Sequence, residues 1–126
     1  MQDTIICVVG LGYIGLPTAA MFASKKIKVI GVDVSQSVID TINAGDIHIV
    51  EPDLNVMVKS AVRDSYLRAT TYPEPADAFL IAVSTPLLAN GGDGDVPSPD
   101  LKFVESAARS VARVLKKGDL VVLEST

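Results

Sequence analysis

The sequence has few of the cysteines and histidines on which disulfide-bonded and metal-binding proteins depend, and it has no long apolar run. Cys7 is the single cysteine among 126 residues, so the chain cannot form an internal disulfide, which fits a reducing cytoplasm. His48 is the single histidine, and we expect it on a surface loop rather than in a metal or acid–base site. No apolar run approaches the roughly 18 residues that a membrane span needs, and no signal peptide is visible.

Positive charge is also scarce. The 11 Lys and Arg residues are outnumbered by 15 Asp and Glu, the net charge is −4, and no basic cluster is present. This balance argues against a nucleic-acid surface. With 48% apolar residues, the length is enough for one globular domain with a real core. We therefore expect one cytoplasmic domain over 1–126, with neither nucleic acid nor membrane as a partner.

What the sequence does contain is a glycine motif placed between a strand pattern and a helix pattern. Gly10-Leu11-Gly12-Tyr13-Ile14-Gly15 follows a β-branched run at 4–9 and opens an apolar helix pattern at 13–25. A lone GxGxxG is weak, but in this context it is the dinucleotide-binding fingerprint. The alternative is a glycine-rich turn that binds nothing.

Each glycine of the motif has a separate physical reason. Gly10 permits the tight turn out of the strand, where a Cβ would clash. Gly12 lets the backbone approach a pyrophosphate, and Gly15 lets the helix pack against the strand. The start of the helix then offers free N–H groups and the positive end of its dipole to the phosphates.

Asp33 ends a second predicted strand at 28–32, about 20 residues after the glycines. An acid there accepts hydrogen bonds from the adenosine ribose and repels a 2′-phosphate. The next residues, 34–38, contain no Arg or Lys that would bind such a phosphate. The sequence therefore predicts NAD rather than NADP as the cofactor.

Alternating patterns extend this start into an α/β fold, a Rossmann-like doubly wound parallel sheet. Strands are predicted at 4–9, 28–32, 67–72, 78–83 and 120–123, and helices at 13–25, between Ser35 and Gly45, at 53–62 and at 100–117. The expected inward faces are Leu16, Ala19, Ala20 and Ala23; Val38, Ile39 and Ile42; Leu54, Met57, Val58 and Ala61; and Leu101, Val104, Ala108, Val111 and Leu115. Asp100 is the predicted cap of the last helix, and Gly118 its predicted stop.

The fourth predicted strand ends in Ser84-Thr85-Pro86, at the edge where ligands of such sheets bind. The Thr85 hydroxyl could contact a cofactor there, or it could only cap the strand. The segment 87–99 is interpreted as a solvated loop near that edge, where it could act as a lid or contact substrate.

The predicted sheet ends early. Its first mononucleotide-binding half has three strands, whereas its second half stops after two, at Glu124-Ser125-Thr126. Dinucleotide sites of this kind normally use about six strands. We therefore expect the chain to be the front of a larger enzyme.

Several stretches together resemble the UDP-glucose/GDP-mannose dehydrogenase family. They are 8–17, Gly31-Val32-Asp33, Ser84-Thr85-Pro86 and Glu124-Ser125-Thr126. Two further segments, 43–54 and 114–120, resemble members that oxidise UDP-N-acetylmannosamine. Many dehydrogenases share the glycine motif, but the combination is far more specific.

The resemblance implies an enzyme of polysaccharide biosynthesis that oxidises a sugar C6 alcohol to a carboxylate with two NAD-dependent hydride transfers. In the family, a cysteine after this domain forms a thiohemiacetal and then a thioester. A central helix through which homodimers form, and the sugar-binding domain, also follow it. The resemblance thus implies that 1–126 binds NAD but is inactive alone. Cys7 lies inside a predicted strand and is expected to be a buried hydrophobe, not that nucleophile.

The family's cofactor contacts transfer to this sequence residue by residue. The resemblance implies that Tyr13 and Ile14 offer backbone groups to the pyrophosphate, that Asp33 holds the ribose and that Thr85 contacts the cofactor. Thr126 corresponds to a threonine near the nicotinamide that helps to position the hydrolytic water. Val38 stands where some members have a lysine.

Two other functions compete with this interpretation. A stand-alone NAD-sensing regulatory module would share the fold and the glycine motif without chemistry. A dehydrogenase of another kind, for example one for 3-hydroxy acids, would share the motif but not the Glu124-Ser125-Thr126 ending.

Overall fold

The computed structural model describes residues 3–88 and 98–124. Within these ranges the strands are β1 Ile5–Val9, β2 Lys28–Val32, β3 Leu67–Thr70, β4 Ala78–Ile81, β5 Leu87–Leu88, β6 Ser98–Pro99 and β7 Leu120–Leu123. The helices are α1 Gly15–Ser24, α2 Gln36–Asn43, α3 Leu54–Arg63 and α4 Lys102–Ala112.

Five strands form one parallel sheet in the order β3-β2-β1-β4-β7. The chain steps outward from β1 to β3 and then returns to place β4 on the other side of β1. Val9 lies opposite Val32 of β2 and Ile81 of β4, so these three strands end level at one edge. This confirms the predicted α/β fold and puts the point where the strand order reverses between β1 and β4.

Both faces of the sheet are covered around β1, because successive side chains of a strand point to opposite faces. In β1, Ile6 and Val8 pack in a cluster with residues of α1, α2 and α3. Cys7 and Val9 belong to a second cluster that includes Phe79 and residues of α4. A parallel sheet with helices on both faces explains why β1 and β4 read as continuous apolar runs.

The two edge strands of the sheet, β3 and β7, differ in how far other residues cover them. On β3, the Asn43 side chain donates from Nδ2 to the Ala69 carbonyl at 2.9 Å and accepts from the Ala69 N–H at 2.9 Å. This amide takes the place of a further strand and satisfies both backbone groups. On β7, all four side chains are exposed, from 37% at Val122 to 59% at Leu120.

The predicted end of the last helix is wrong. We expected it to run to 117 and stop at Gly118, but α4 ends at Ala112. Lys116 forms a turn instead: its N–H and its ammonium group both donate to Asp119, at 2.9 and 2.8 Å, and the ammonium also donates to the Ala76 carbonyl. The bond from the Lys116 N–H takes the place of the helical bond that this N–H would otherwise make.

The predicted inward face of α4 is also partly wrong. Ala107 and Val111 are buried and Val104 is half-buried, whereas Leu101, Ala108 and Leu115 are exposed. The helix therefore packs on the sheet through Ala107 and Val111. The prediction missed Ala107 because it followed the larger apolar side chains of the helix. Asp100 accepts from the Lys102 N–H at 3.0 Å, but the residue at the cap position is Leu101.

Smaller differences affect the other elements. α1 begins at Gly15 rather than at 13, and Met57 of α3, predicted to face inward, is 36% exposed. Within 87–99, the loop prediction missed β5 and β6, which pair antiparallel. The centre of that loop, 89–97, lies outside the described residues.

Cys7 is confirmed as a buried residue. Its side chain has no exposed surface, and burial raises the pKa of its thiol from 9.0 to about 11. A thiol that ionises earlier in the unfolded chain favours unfolding as the pH rises from 9 to 11. We expect the free energy of unfolding to fall by about 2 to 3 kcal/mol over that pH interval. Cys7→Ala has no thiol, so its stability should lack this part of the pH dependence. Urea unfolding of both proteins as a function of pH measures it.

A second readout checks the same burial without titration. Iodoacetamide is expected to leave Cys7 unmodified in the folded chain and to alkylate it in urea. Mass spectrometry measures the extent of alkylation. Complete alkylation of the folded chain would show that the thiol is accessible and would contradict its burial.

A candidate dinucleotide-binding site

A cleft of about 620 Å³ opens at the edge where β1 and β4 end. This lies within the roughly 300–1,000 Å³ that small-molecule sites occupy. The turn between β1 and α1, residues 10–14 and hereafter the glycine turn, forms one wall, and α4 forms the other. Its lining includes Gly10, Leu11, Gly12, Tyr13, Ile14, Asp33, Val34, Tyr72, Val83, Ser84, Phe103, Ser106, Ser110 and Glu124.

Two of the three motif glycines are required by the protein's own backbone. Gly10 has φ +99°, and a Cβ there would lie 2.7 Å from the Ala82 carbonyl oxygen. A Cβ on Gly15 would overlap the Gly10 carbonyl oxygen. These contacts explain the tight turn and the close helix packing that the motif predicts.

Gly12 differs from both, because a Cβ built there meets no atom within 4 Å. Since Gly12 lines the cleft, its missing side chain leaves space for a ligand rather than for the protein. The predicted role of Gly12 beside a pyrophosphate is compatible with this geometry.

The start of α1 presents backbone donors to the cleft. The Leu16 N–H bonds the Gly12 carbonyl at 3.0 Å, and Ile14 at the cap position receives no side-chain cap. In the described parts of the chain, the N–H groups of Tyr13 and Ile14 have no acceptor. Donors of this kind at a helix start bind phosphate oxygens. The contact of Tyr13 and Ile14 with a pyrophosphate stays a prediction.

Asp33 follows β2 and reaches toward the glycine turn. One carboxylate oxygen accepts from the Leu11 N–H at 3.1 Å, and the other accepts from the Ser35 N–H at 3.0 Å. A carboxylate has about four acceptor positions, so two backbone bonds leave capacity for two ribose hydroxyls. The predicted Ser35 cap is confirmed, with its hydroxyl accepting from Val38.

The remaining predicted site residues, Thr85 and Thr126, are not found in the lining of the cleft among the described residues. Ser84 lines the cleft, whereas Thr85 is half-buried beside it and is not part of that lining. Thr126 lies outside the described residues. The cofactor contact of Thr85 and the water-positioning role of Thr126 therefore stay predictions.

Sequence reasoning missed the second wall of the cleft. Phe103, Ser106, Ala107 and Ser110 of α4 face the cleft with the spacing of one helix face. The Ser110 hydroxyl donates to the Ala107 carbonyl at 2.8 Å. The spacing of Ser106, Ala107 and Ser110 is present in the sequence, but the prediction of the buried helix face followed the larger apolar residues instead.

The sequence also did not single out Val34 and Tyr72, which lie at the Asp33 end of the cleft. Their exposed fractions are 92% and 72%, so both present apolar surface to solvent beside the predicted ribose site. Exposed apolar side chains at the edge of a cleft are suited to a flat, weakly polar ligand group.

The strongest ion pairs lie away from the cleft. Arg68 donates two hydrogen bonds of 2.7 Å to Glu74, which hold the pKa of that carboxyl below its usual range. Lys116 lowers the pKa of Asp119 in the same way. Neither pair includes a residue that lines the cleft.

Neither a metal site nor a membrane-spanning helix is found among the described residues. His48 is exposed, as predicted, and residues 3–88 and 98–124 bring together no group of three His, Cys, Asp or Glu side chains that could hold a metal. Over the same ranges, no helix has the length and hydropathy to cross a bilayer.

A sequence model of the NAD binding domain of the UDP-glucose/GDP-mannose dehydrogenase family matches residues 4–126. The chain belongs to this family. Since the match covers nearly every residue, the cleft between the glycine turn and α4 lies in the NAD-binding domain of a UDP-glucose/GDP-mannose dehydrogenase family member.

Curated relatives in the family are similar over nearly the whole chain. A UDP-N-acetyl-D-mannosamine dehydrogenase from Yersinia pestis is 65% identical over 100% of this chain and 29% of its own length. An NDP-N-acetyl-D-galactosaminuronic acid dehydrogenase from Ralstonia nicotianae is 64% identical over 96% of this chain and 27% of its own. The chain thus spans less than a third of these relatives.

Solved structures of family members share the fold. The UDP-N-acetyl-mannosamine dehydrogenase from Staphylococcus aureus matches with a TM-score of 0.89 at 41% identity, over 98% of this chain and 29% of that one. The GDP-mannose dehydrogenase from Pseudomonas aeruginosa matches with a TM-score of 0.85 at 33% identity, over 96% and 28%. All these matches are dehydrogenases, and none supports the alternative of an NAD-sensing regulatory module.

Proposed function

We propose that this chain supplies the NAD site of a nucleotide-sugar 6-dehydrogenase, which oxidises the sugar C6 alcohol to a carboxylate. The observation that carries the proposal is the position of Asp33. Its carboxylate lies beside the glycine turn, in a cleft where two backbone N–H groups at the start of α1 have no acceptor among the described residues. An acid and N–H groups without acceptors in one cleft support a ribose acceptor beside a phosphate site.

The cleft residues divide by chemistry along its length. Asp33 would accept from the adenosine ribose, with Val34 and Tyr72 beside the base. Tyr13 and Ile14 would donate to the pyrophosphate. Bound NAD supplies the acceptor for the hydride that leaves the sugar carbon.

No group in the described part of the cleft can act as the thiol nucleophile that the family resemblance implies. Cys7 is buried in β1 and does not line the cleft. We therefore propose that the residues of 1–126 bind and orient the cofactor, and that the nucleophile and the sugar site belong to the rest of a longer enzyme.

Calorimetric titration of the purified chain with NAD, NADP and UDP-N-acetylmannosamine tests the binding proposal. NAD is expected to bind at least about tenfold more tightly than NADP, because Asp33 repels the 2′-phosphate, and the sugar nucleotide is not expected to bind. Asp33→Ser should reduce the preference for NAD. Asp40→Asn, which changes an exposed acid of α2 outside the cleft, should leave it unchanged. Equal affinity for the two cofactors would refute the assignment.

The substrate is proposed to be UDP-N-acetylmannosamine, oxidised by the complete protein as a homodimer in the cytoplasm. Support comes from the 60–65% identity to mannosamine dehydrogenases, although a galactosaminuronic acid dehydrogenase is similar to the same degree. The longer protein should reduce NAD with UDP-N-acetylmannosamine faster than with UDP-N-acetylgalactosamine. A faster reaction with UDP-N-acetylgalactosamine would reassign the sugar substrate. Light scattering of the same sample would measure whether the protein is a dimer.

A further inference from the structure

We infer that Gly31-Val32-Asp33 anchors the first half of the glycine turn, so that Asp33 is a positioning residue for the phosphate site as well as a ribose ligand. The inference rests on the proposed NAD function. It assigns the carboxylate a second task, which it performs before any cofactor binds.

Three successive residues at the end of β2 hold Gly10 and Leu11. The Val32 carbonyl accepts from the Gly10 N–H at 2.7 Å, and the Asp33 carboxylate accepts from the Leu11 N–H at 3.1 Å. Gly31 leaves room for the Leu11 side chain, because a Cβ on Gly31 would lie 3.0 Å from both Leu11 methyl carbons. Leu11 is fully buried, so its backbone and its side chain are both fixed by β2.

The second half of the turn has no such attachment. A Cβ on Gly12 would meet nothing within 4 Å, and the N–H groups of Tyr13 and Ile14 find no acceptor in the described ranges. All of the turn lines the cleft, but only its first half is bonded to the β2 segment, whereas Gly12, Tyr13 and Ile14 are not. Because Leu11 directly precedes Gly12, the bond from Leu11 to Asp33 determines how the phosphate-facing N–H groups are presented.

The chemistry of Asp33 requires a carboxylate. Its two oxygens receive N–H donors from two different segments, Leu11 of the turn and Ser35 at the start of α2. An asparagine of the same size has one acceptor oxygen and one NH₂ donor, so in the same orientation its oxygen meets only one of the two N–H donors. Its NH₂ group would then face the other N–H, and one of the two attachments would be lost.

A comparison of two ligands separates contact from positioning. The probes are NAD and an NAD analogue whose adenosine ribose lacks both hydroxyls, each titrated into the unmodified chain, Asp33→Asn and the control Asp40→Asn. If Asp33 acted only through the ribose, Asp33→Asn would weaken NAD binding and leave the analogue unaffected. We expect it to weaken NAD by about tenfold or more and the analogue by at least about threefold. Equal analogue affinity for the unmodified chain and Asp33→Asn would overturn the inference.

Amide hydrogen exchange in the unmodified, unliganded chain gives a second test that needs no variant. The Leu11 and Ser35 amides are expected to exchange at least about tenfold more slowly than those of Tyr13 and Ile14. Comparable rates for all four would contradict the anchor even if Asp33→Asn failed to fold. Failure of the unmodified chain to bind NAD would instead refute the proposed function, and the exchange rates alone would then decide the inference.

Discussion

Replacing Gly15 by alanine is expected to destabilise the chain by about 3 kcal/mol, and to lower its Tm by on the order of 10 °C. Helix propensity predicts the opposite sign, because alanine in a helix is favoured over glycine by up to about 1 kcal/mol. Sterics should prevail, since the added Cβ would overlap the Gly10 carbonyl oxygen, and that atom is backbone. Urea unfolding followed by circular dichroism measures the difference.

Gly12→Ala is the matched control for this experiment, with the same substitution three residues away. No atom lies within 4 Å of a Cβ at Gly12, so its stability should stay within about 1 kcal/mol of the unmodified chain. If Gly15→Ala proved as stable as Gly12→Ala, the close approach of α1 to the turn would be refuted.

The same Gly12→Ala protein is expected to lose most of its affinity for NAD, by about tenfold or more, while keeping its fold. The added methyl group would project into open space at the wall of the cleft, where a pyrophosphate would approach the backbone. Calorimetric titration of Gly12→Ala with NAD, set beside its unfolding curve, separates the loss of binding from the loss of structure.

Ser37→Ala is a suitable binding control, because Ser37 is exposed on α2 and does not line the cleft. It should bind NAD as the unmodified chain does. Unchanged NAD affinity in Gly12→Ala would mean that the cofactor does not approach the turn at Gly12, and the phosphate site would have to be placed elsewhere in the cleft.

The positions of the main strands could be predicted because their signals are local. β2 and β7 agree with the predicted bounds, and β1 agrees to within one residue, since each is a short apolar run between turn residues. The end of α4 could not be predicted in this way. There the Lys116 N–H donates to the Asp119 carboxylate and not to a helical carbonyl. The Lys116 ammonium also donates to the distant Ala76 carbonyl, a contact that depends on how the chain folds back.

The residues of the cleft also differ in whether a local signal predicts them. Gly10, Gly15 and Asp33 could be predicted because turn sterics and ribose chemistry restrict which residue types can stand there, and of these Gly10 and Asp33 line the cleft. Phe103 and Ser106 could not be predicted, because they enter the cleft only when α4 packs on the face of the sheet opposite to α1. Nothing within their own segment distinguishes a helix face that lines a cleft from one that faces solvent.

The sequence by itself determined the fold class, the glycine turn and the acid that follows β2, since strand periodicity and the demands of glycine act over a few residues. Only the tertiary structure decided which side chains form the second wall of the cleft, and that Asp33 bonds the backbone of Leu11, 22 residues away. Both depend on where separate elements meet. Those meeting points follow from the order of strands in the sheet, which no local pattern specifies.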